Sequence, residues 1–349
     1  MKAIPRILNN KKELPQEINQ MKKSRRNFII QSTLAASALS LDLSSYGAKS
    51  LKQHPRLEPM KKIEPLKVSV FSKNLHWLNW SDMAVAVKEM GFDGIDLTVR
   101  PEGHVVPERV AEDLPKAVAA IRKQGLNVYM ITTAITKAAD PNTAPVLKAA
   151  GELGIKNYRL GWFSYDKKRS IPDNFLNFKK ELQDLAQLNK KYKIHGDYQN
   201  HAGAYFGAAV LDLWTVLKDL DPQFIGSQYD IRHATVEGSH SWPVGFGLLK
   251  DYITTINLKD FQWAKKDGKW QEENMPLGTG MVDFNAYFKA LNQSQFNGPV
   301  SLHYEYELGG AENGARTLTI PKEEVLQAMK RDLITFKKIY SENINHLAT

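Results

Sequence analysis

The chain has 349 residues, 42% hydrophobic and 24% charged, a globular composition and not that of a disordered or membrane-embedded protein. Its net charge of +9 is confined to the N-terminus: residues 1–62 carry 13 Lys/Arg and 4 Asp/Glu, leaving 34 of each sign in residues 63–349. A neutral body lacks the basic face of a phosphate-backbone binder, so nucleic acid is not an expected partner, and the absence of cysteine fits an oxidising compartment.

Taken in chain order, Ser24-Arg25-Arg26-Asn27-Phe28-Ile29-Ile30 follows Met21-Lys22-Lys23 and opens a mildly apolar stretch from Phe28 to Leu41. Paired arginines, a Phe two positions after the second and a modest apolar run resemble a twin-arginine export signal. Gln31 and several serines interrupt the run, well short of the ~18 apolar residues of a spanning helix. Residues 1–48 therefore read as an export region with no membrane span, and Met21 is an alternative start. Residues 49–65, with three prolines and five Lys/Arg, read as a linker. A periplasmic or otherwise exported location follows, with folding completed before passage.

From residue 66 onward two periodicities alternate. Strands are predicted at 66–72, 93–99, 126–132, 156–161, 193–199, 224–230, 253–259 and 299–305. Helical patterns fall at 80–90, 107–124, 143–153, 173–192, 208–219, 243–251, 283–293 and 321–341. Ser81-Asp82, Pro107 and Pro172 mark helix starts, and Gly91 and Gly125 mark ends. Eight alternations imply parallel pairing and a closed (β/α)8 TIM barrel, a single α/β domain over 66–345. The competing layout, an open doubly wound sheet, calls for a glycine-rich phosphate turn after the first strand. Phe71–His76 contains no glycine. Phe261–Gly280 reads as a long, Trp-containing loop on the barrel top that shapes a substrate pocket.

Side chains two apart in a strand share a face, and four strand ends aim polar groups into one space. These are Asp197, Gln199 and His201; Gln228 and Asp230 with His233 just beyond; Asn257 and Lys259; and His303 and Glu305. Asp230 and His233 can ligate one divalent ion or form a capped surface turn. Gln199 can bind a metal or a hydroxyl but cannot accept a proton at neutral pH. His201 is a base, a ligand or a satisfied hydrogen-bonding residue. Glu305 is expected to move a proton or bind metal, because partial burial raises a carboxyl pKa. Lys259 can stabilise an oxyanion, bind a substrate carboxylate or pair with Asp260. Asp96, Thr98, Arg100, His104 and Arg159 can meet sugar hydroxyls, and Trp77, Trp80, Trp162 and Trp263 can pack on pyranose rings.

The motifs Gly91-Phe92-Asp93-Gly94-Ile95-Asp96-Leu97, Gln199-Asn200-His201, Asp230-Ile231-Arg232-His233, Asn257-Leu258-Lys259-Asp260 and Pro276–Phe284, with the last strand, resemble the xylose isomerase-like TIM-barrel sugar (phosphate) isomerases and epimerases. The resemblance spans nearly all of residues 66–340. It implies a divalent metal ion (Mn, Mg or Zn) held by a Glu, an Asp, a His and a Glu from strands five to eight, with the two glutamates exchanging protons with a sugar. Position by position, Asp230 matches, and His233 matches the family's D-x-x-H. Gln199 replaces the fifth-strand Glu, Asn257 the seventh-strand His, and the last Glu falls at His303 or Glu305. The implied metal set is Asp230, His233, Glu305 and Gln199. The implied catalytic set is Glu305, His303, His201 and Lys259, with Asp96, Arg100, His104, Arg159, Asn257 and Trp162 binding substrate. The expected partner is a small carbohydrate without phosphate. The expected reaction is proton abstraction beside a carbonyl by an isomerase or epimerase, with a lyase or hydratase on a keto-glycoside, or an inactive carbohydrate-binding barrel, as alternatives.

Overall fold

The computed structural model describes residues 65–345. The twin-arginine segment and nearly all of the linker lie outside the described residues. Ten strands follow in order: β1 (Val68–Phe71), β2 (Gly94–Thr98), β3 (Asn127–Thr132), β4 (Asn157–Arg159), β5 (His195–Gln199), β6 (Ile225–Asp230), β7 (Ile253–Leu258), β8 (Asp260–Lys266), β9 (Lys269–Met275) and β10 (Val300–Leu302). All but β8 and β9 pair in parallel and close into an eight-stranded barrel in which β10 joins β7 to β1. The helices are α1 (Trp80–Met90), α2 (Val110–Lys123), α3 (Thr143–Glu152), α4 (Ile171–Tyr192), α5 (Val210–Leu217), α6 (Ile231–Gly238), α7 (Trp242–Leu249), α8 (Phe284–Gln293) and α9 (Lys322–Asn345). The closed parallel barrel is the (β/α)8 fold expected from the sequence.

Alternation along the strands separates two cores. Tyr158, Tyr198, Tyr229 and Tyr304, all fully buried, point outward into the helix layer, where Tyr158 donates to Asn189 Oδ1 of α4 at 3.0 Å and Tyr304 to the Met329 carbonyl of α9 at 3.2 Å. The polar residues between them point inward and must find partners there, because a buried polar group without one costs ~1–3 kcal/mol. Asp197, deepest, accepts from Asn157 at 2.9 Å and from Thr254 and Thr255. Above it Asn257 donates to Gln228 Oε1 at 3.1 Å. The strand ends then carry the layer that faces the C-terminal mouth, where barrel active sites lie.

Three local features depart from expectation. Helix α1 is capped by Asn79, whose side chain accepts from the Asp82 amide at 2.9 Å, and not by Ser81. A short helix, α6, follows β6 directly. The segment read as a loop after β7 is an antiparallel hairpin, β8 with β9, turning at Asp267 and Gly268, both with positive φ (50° and 77°), as a two-residue hairpin turn requires. No helix among the described residues is long and apolar enough to cross a membrane.

Candidate active site

Asp230 ends β6 and is fully buried. Its backbone is fixed by a two-way exchange with the Asn200 side chain, at 2.8 and 2.9 Å. Its carboxylate does two things. Oδ1 accepts from the His233 amide at 3.1 Å, the N-cap of α6. Oδ2 accepts from Gln199 Nε2 at 2.8 Å and lies 3.3 Å from Lys259 Nζ. Lys259, with a side chain only 3% exposed, reaches Glu305 Oε1 at 2.8 Å with the same ammonium. Arg159 Nη1 donates to Gln199 Oε1 at 2.8 Å. One chain of charge-assisted bonds thus runs Arg159–Gln199–Asp230–Lys259–Glu305 across five strand ends. Lys259 pairs with these two carboxylates and not with Asp260. Asp260 instead accepts four backbone N–H groups, from Phe261, Gly278, Gly280 and Val282, and so holds the Pro276–Phe284 segment against the barrel; a side chain at Gly280 would strike Asp260 itself.

The expectation that Glu305 carries a raised pKa does not hold. Burial pushes it up, but Lys259 and then Lys73 outweigh burial and hold the carboxyl well below the usual range. Glu305 is a fixed anion that keeps Lys259 in place. Its backbone carbonyl accepts from Asn274 of the hairpin at 3.2 Å, and Asn274 in turn accepts from Arg232 at 2.9 Å, so the hairpin is tied across the mouth.

Three imidazoles line this chain, each in a defined state. His233 is buried, and its Nδ1 accepts from Arg232 at 3.1 Å. Burial, with Lys259, His201 and Arg232, drives its pKa far down, so the ring is neutral and its proton sits on Nε2. That nitrogen has no hydrogen-bond partner among the described residues and is 3.7 Å from Asp230 Oδ2. His201 has the opposite tautomer. Nδ1 donates to the Ala202 carbonyl at 2.8 Å, which leaves Nε2 with a free lone pair, and burial together with Lys259 lowers its pKa. Its ring packs on His233 at 3.9 Å and on Trp162 at 4.5 Å between centroids. His303 stacks on Phe71 at 4.2 Å, with Nε2 3.9 Å from Asp96 Oδ2, and burial lowers its pKa to about 4.

The expected substrate contacts divide. Arg159, with its guanidinium 4.6 Å from the Trp162 ring, belongs to the mouth; Asn257 lies in the layer beneath it, its Oδ1 buried with no hydrogen-bond partner among the described residues. Asp96 is fully buried and accepts from Thr132 at 2.9 Å and Ser301 at 2.8 Å, so it braces strands. His104 bonds Thr98 and Ser72 beneath the first two βα loops and packs edge-on against His76 at 4.8 Å. Trp80 donates to the His104 carbonyl at 3.0 Å and Trp77 to that of Asn74 at 3.2 Å, which makes both loop braces, while Trp263 lies on the hairpin, 40% exposed. One residue was missed. Lys73, one turn beyond β1, is half-buried near Glu305 and Lys259, and burial pulls its pKa down to about 8 against the attraction of Glu305.

This fold and site define a parallel barrel with a polar, charge-bearing C-terminal mouth. The family model described as xylose isomerase-like TIM barrel matches residues 84–328, and the chain belongs to that family. A search of curated proteins finds no match. Among solved structures, the chain is similar to the 3-keto-D-glucoside 4-epimerase YcjR from E. coli (15% identity, 77% of this chain and 100% of that one, TM-score 0.58). It is likewise similar to the probable 3-DHS dehydratase AsbF from Bacillus anthracis (13%, 77% and 99%, 0.58). A third similar structure is a xylose isomerase-like TIM barrel protein from Mycobacterium smegmatis in complex with magnesium (15%, 78% and 100%, 0.57).

A divalent ion is what the family resemblance implies here, and the donor set does not fit one. Among the described residues no three His, Cys, Asp or Glu side chains form a group able to hold a metal. His233 presents N–H, not a lone pair, toward Asp230. Gln199 offers Asp230 its NH2 group. Between Asp230 and Glu305, where two anions of a metal site would meet a cation, stands the Lys259 ammonium. The departure at position 199 goes with Lys259: a second carboxylate there needs a dication beside it, whereas an amide donating to Asp230 matches a single positive charge.

Proposed function

We propose that the barrel is a sugar isomerase or epimerase that removes a proton beside the carbonyl of an unphosphorylated sugar or keto-sugar, with Lys259 as its electrophile. The observation that carries this reading is the Lys259 ammonium clamped between Asp230 and Glu305 at the barrel mouth. Two carboxylates hold it in place and aim it, the preorganisation that electrostatic catalysis uses. A carbonyl oxygen at this ammonium accepts its hydrogen bond. His201 Nε2 takes the proton from the adjacent carbon, the C–H electron pair becomes the carbon–carbon double bond, and the carbonyl π pair moves onto oxygen. Lys259 and the His233 Nε2–H hold the resulting enolate. Return of the proton by His201 to the former carbonyl carbon, with the adjacent hydroxyl proton passing to the enolate oxygen, isomerises the sugar; inversion of the carbon takes a second acid that protonates the opposite face while His201 keeps the first proton. The similarity to YcjR supports a keto-sugar as substrate. The twin-arginine motif supports action outside the cytoplasm.

The test is incubation with unphosphorylated keto-sugars in D2O, followed by NMR. Deuterium should enter beside the carbonyl with the carbon skeleton intact, and Lys259→Met should abolish entry. Loss of water from the sugar would instead indicate a lyase, and sugar binding without exchange an inactive carbohydrate-binding barrel.

A further inference from the structure

The site just described uses one edge of the mouth. Along the edge formed by the loops after β1, β2 and β10 lies a cleft of about 400 Å3 lined by Lys73, His76, Arg100, Glu102, Gly314 and Arg316 among others, within the ~300–1,000 Å3 of small-ligand pockets. Three of these residues are permanent or predominant cations. None of the three has a carboxylate within 4.0 Å among the described residues, although twelve other Lys, Arg or His side chains do. The one acid in the lining, Glu102, is exposed at the rim. His76 is buried and its pKa falls to about 3, through burial and then His104, so it adds a neutral wall.

The cleft adjoins the reaction centre through Phe71. Lys73 Nζ and Arg100 Cζ lie 5.9 and 5.7 Å from the Phe71 ring, and the same ring stacks on His303 at 4.2 Å. Arg316 closes the far side by donating to the Glu102 carbonyl at 3.1 Å. The loop that carries Arg316 comes close to the floor: at Gly314, with φ +79°, a Cβ would sit 3.1 Å from Lys73 Cγ and 3.2 Å from His76 Nδ1.

Lys73 and Arg100 are partly buried and Arg316 is exposed; Glu305 and Asp96 attract the first two only from beyond 4.0 Å, so a ligand carboxylate would give these cations their direct partner. We propose that this cleft is a subsite for a substrate carboxylate, held by Lys73, Arg100 and Arg316, so that the substrate class is a sugar acid. Two guanidinium forks and an ammonium suit a planar carboxylate. The inference rests on the proposed enolising reaction only for the identity of the rest of the ligand.

The experiment is calorimetric titration of the full chain, wild type and Arg316→Gln, with D-glucuronate, D-glucose and inorganic phosphate. Arg100→Gln serves as a second variant, and unfolding curves confirm that each folds. Glucuronate should bind at least about tenfold tighter than glucose, and each substitution should remove about a factor of ten from glucuronate alone, the scale of one charge-assisted hydrogen bond. Equal binding of glucose and glucuronate, or a preference unchanged in both variants, overturns the proposal. Phosphate that displaces glucuronate at a lower concentration than glucuronate itself needs also overturns it, by assigning the cleft to phosphoryl groups. Deuterium exchange in neutral keto-sugars reports the reaction independently: exchange without any acid preference sinks only the subsite, and acid preference without exchange sinks only the reaction.

Discussion

Replacing Lys259 by Met keeps the length of the side chain and removes its charge, which isolates what the ammonium does. At 3.3 Å from Asp230 and 2.8 Å from Glu305, its gross attractions are about 5 and 6 kcal/mol at an effective dielectric of about 20. Desolvation of three charged groups cancels much of this, and breaking such a buried arrangement costs about 3–5 kcal/mol. For a domain of this size that lowers the unfolding midpoint by roughly 10 °C. Asp230, with a side chain 0% exposed, cannot turn to water for relief. It must take up a proton or another cation. Lys259→Met should therefore be destabilised at pH 7, regain stability as pH falls, and be stabilised by millimolar Mn2+, which leaves the wild type unaffected. Differential scanning calorimetry with and without Mn2+ measures all three. Wild-type protein stabilised by Mn2+ as strongly as the variant, or a variant as stable as the wild type, would refute the reasoning.

The other predictions follow from neighbouring groups. Gln199→Glu places a carboxylate where an amide now donates to Asp230 at 2.8 Å; urea unfolding should show a loss of stability at pH 7 that shrinks in acid, and the Gln199→Glu/Lys259→Met double variant should bind Mn2+ more tightly than Lys259→Met alone in calorimetric titration. His201→Gln should lower the deuterium-exchange rate by about 10²–10⁴ with an unchanged unfolding midpoint. Because burial and Lys259 lower the His201 pKa, the wild-type kcat/KM should stay flat from neutrality down through pH 6.5 and fall only in stronger acid, as the base becomes protonated. Asp332, 5% exposed, has its pKa raised to about 7 by burial, against hydrogen bonds from the Leu277 amide and Tyr306. A carboxyl that binds its proton more tightly when folded contributes stability below its unfolded pKa, and that contribution is lost as pH rises from about 4 to about 7, on the order of 4 kcal/mol. Asp332→Asn should flatten that part of the stability profile.

Period-two alternation made the barrel strands legible, because outward Tyr158, Tyr198, Tyr229 and Tyr304 and inward polar residues are dictated by two different surroundings. The convergence of Asp230, Gln199, Lys259 and Glu305 followed from the same alternation. What the residues do there was not legible, since it depends on which partner each finds. The Asp230–His233 spacing that suggests two metal ligands also serves a helix N-cap, and one hydrogen bond from Arg232 decides the His233 tautomer. Glu305 ran opposite to expectation because two lysines, one from each strand flanking β10, outweigh its burial. Lys73 gave no signal of its own, because its placement depends on the turn after β1. The β8–β9 hairpin, by contrast, was announced by Asp267-Gly268 between alternating segments.

A lysine ammonium stands where the family resemblance implies a divalent ion. Elemental analysis of the purified chain, paired with the rate of deuterium entry into a keto-sugar before and after exhaustive chelation, tests it most directly. Far less than one divalent ion per chain is expected, with an exchange rate unchanged by the chelator. One equivalent of bound metal, with exchange lost on its removal and restored by Mn2+ or Mg2+, would contradict it.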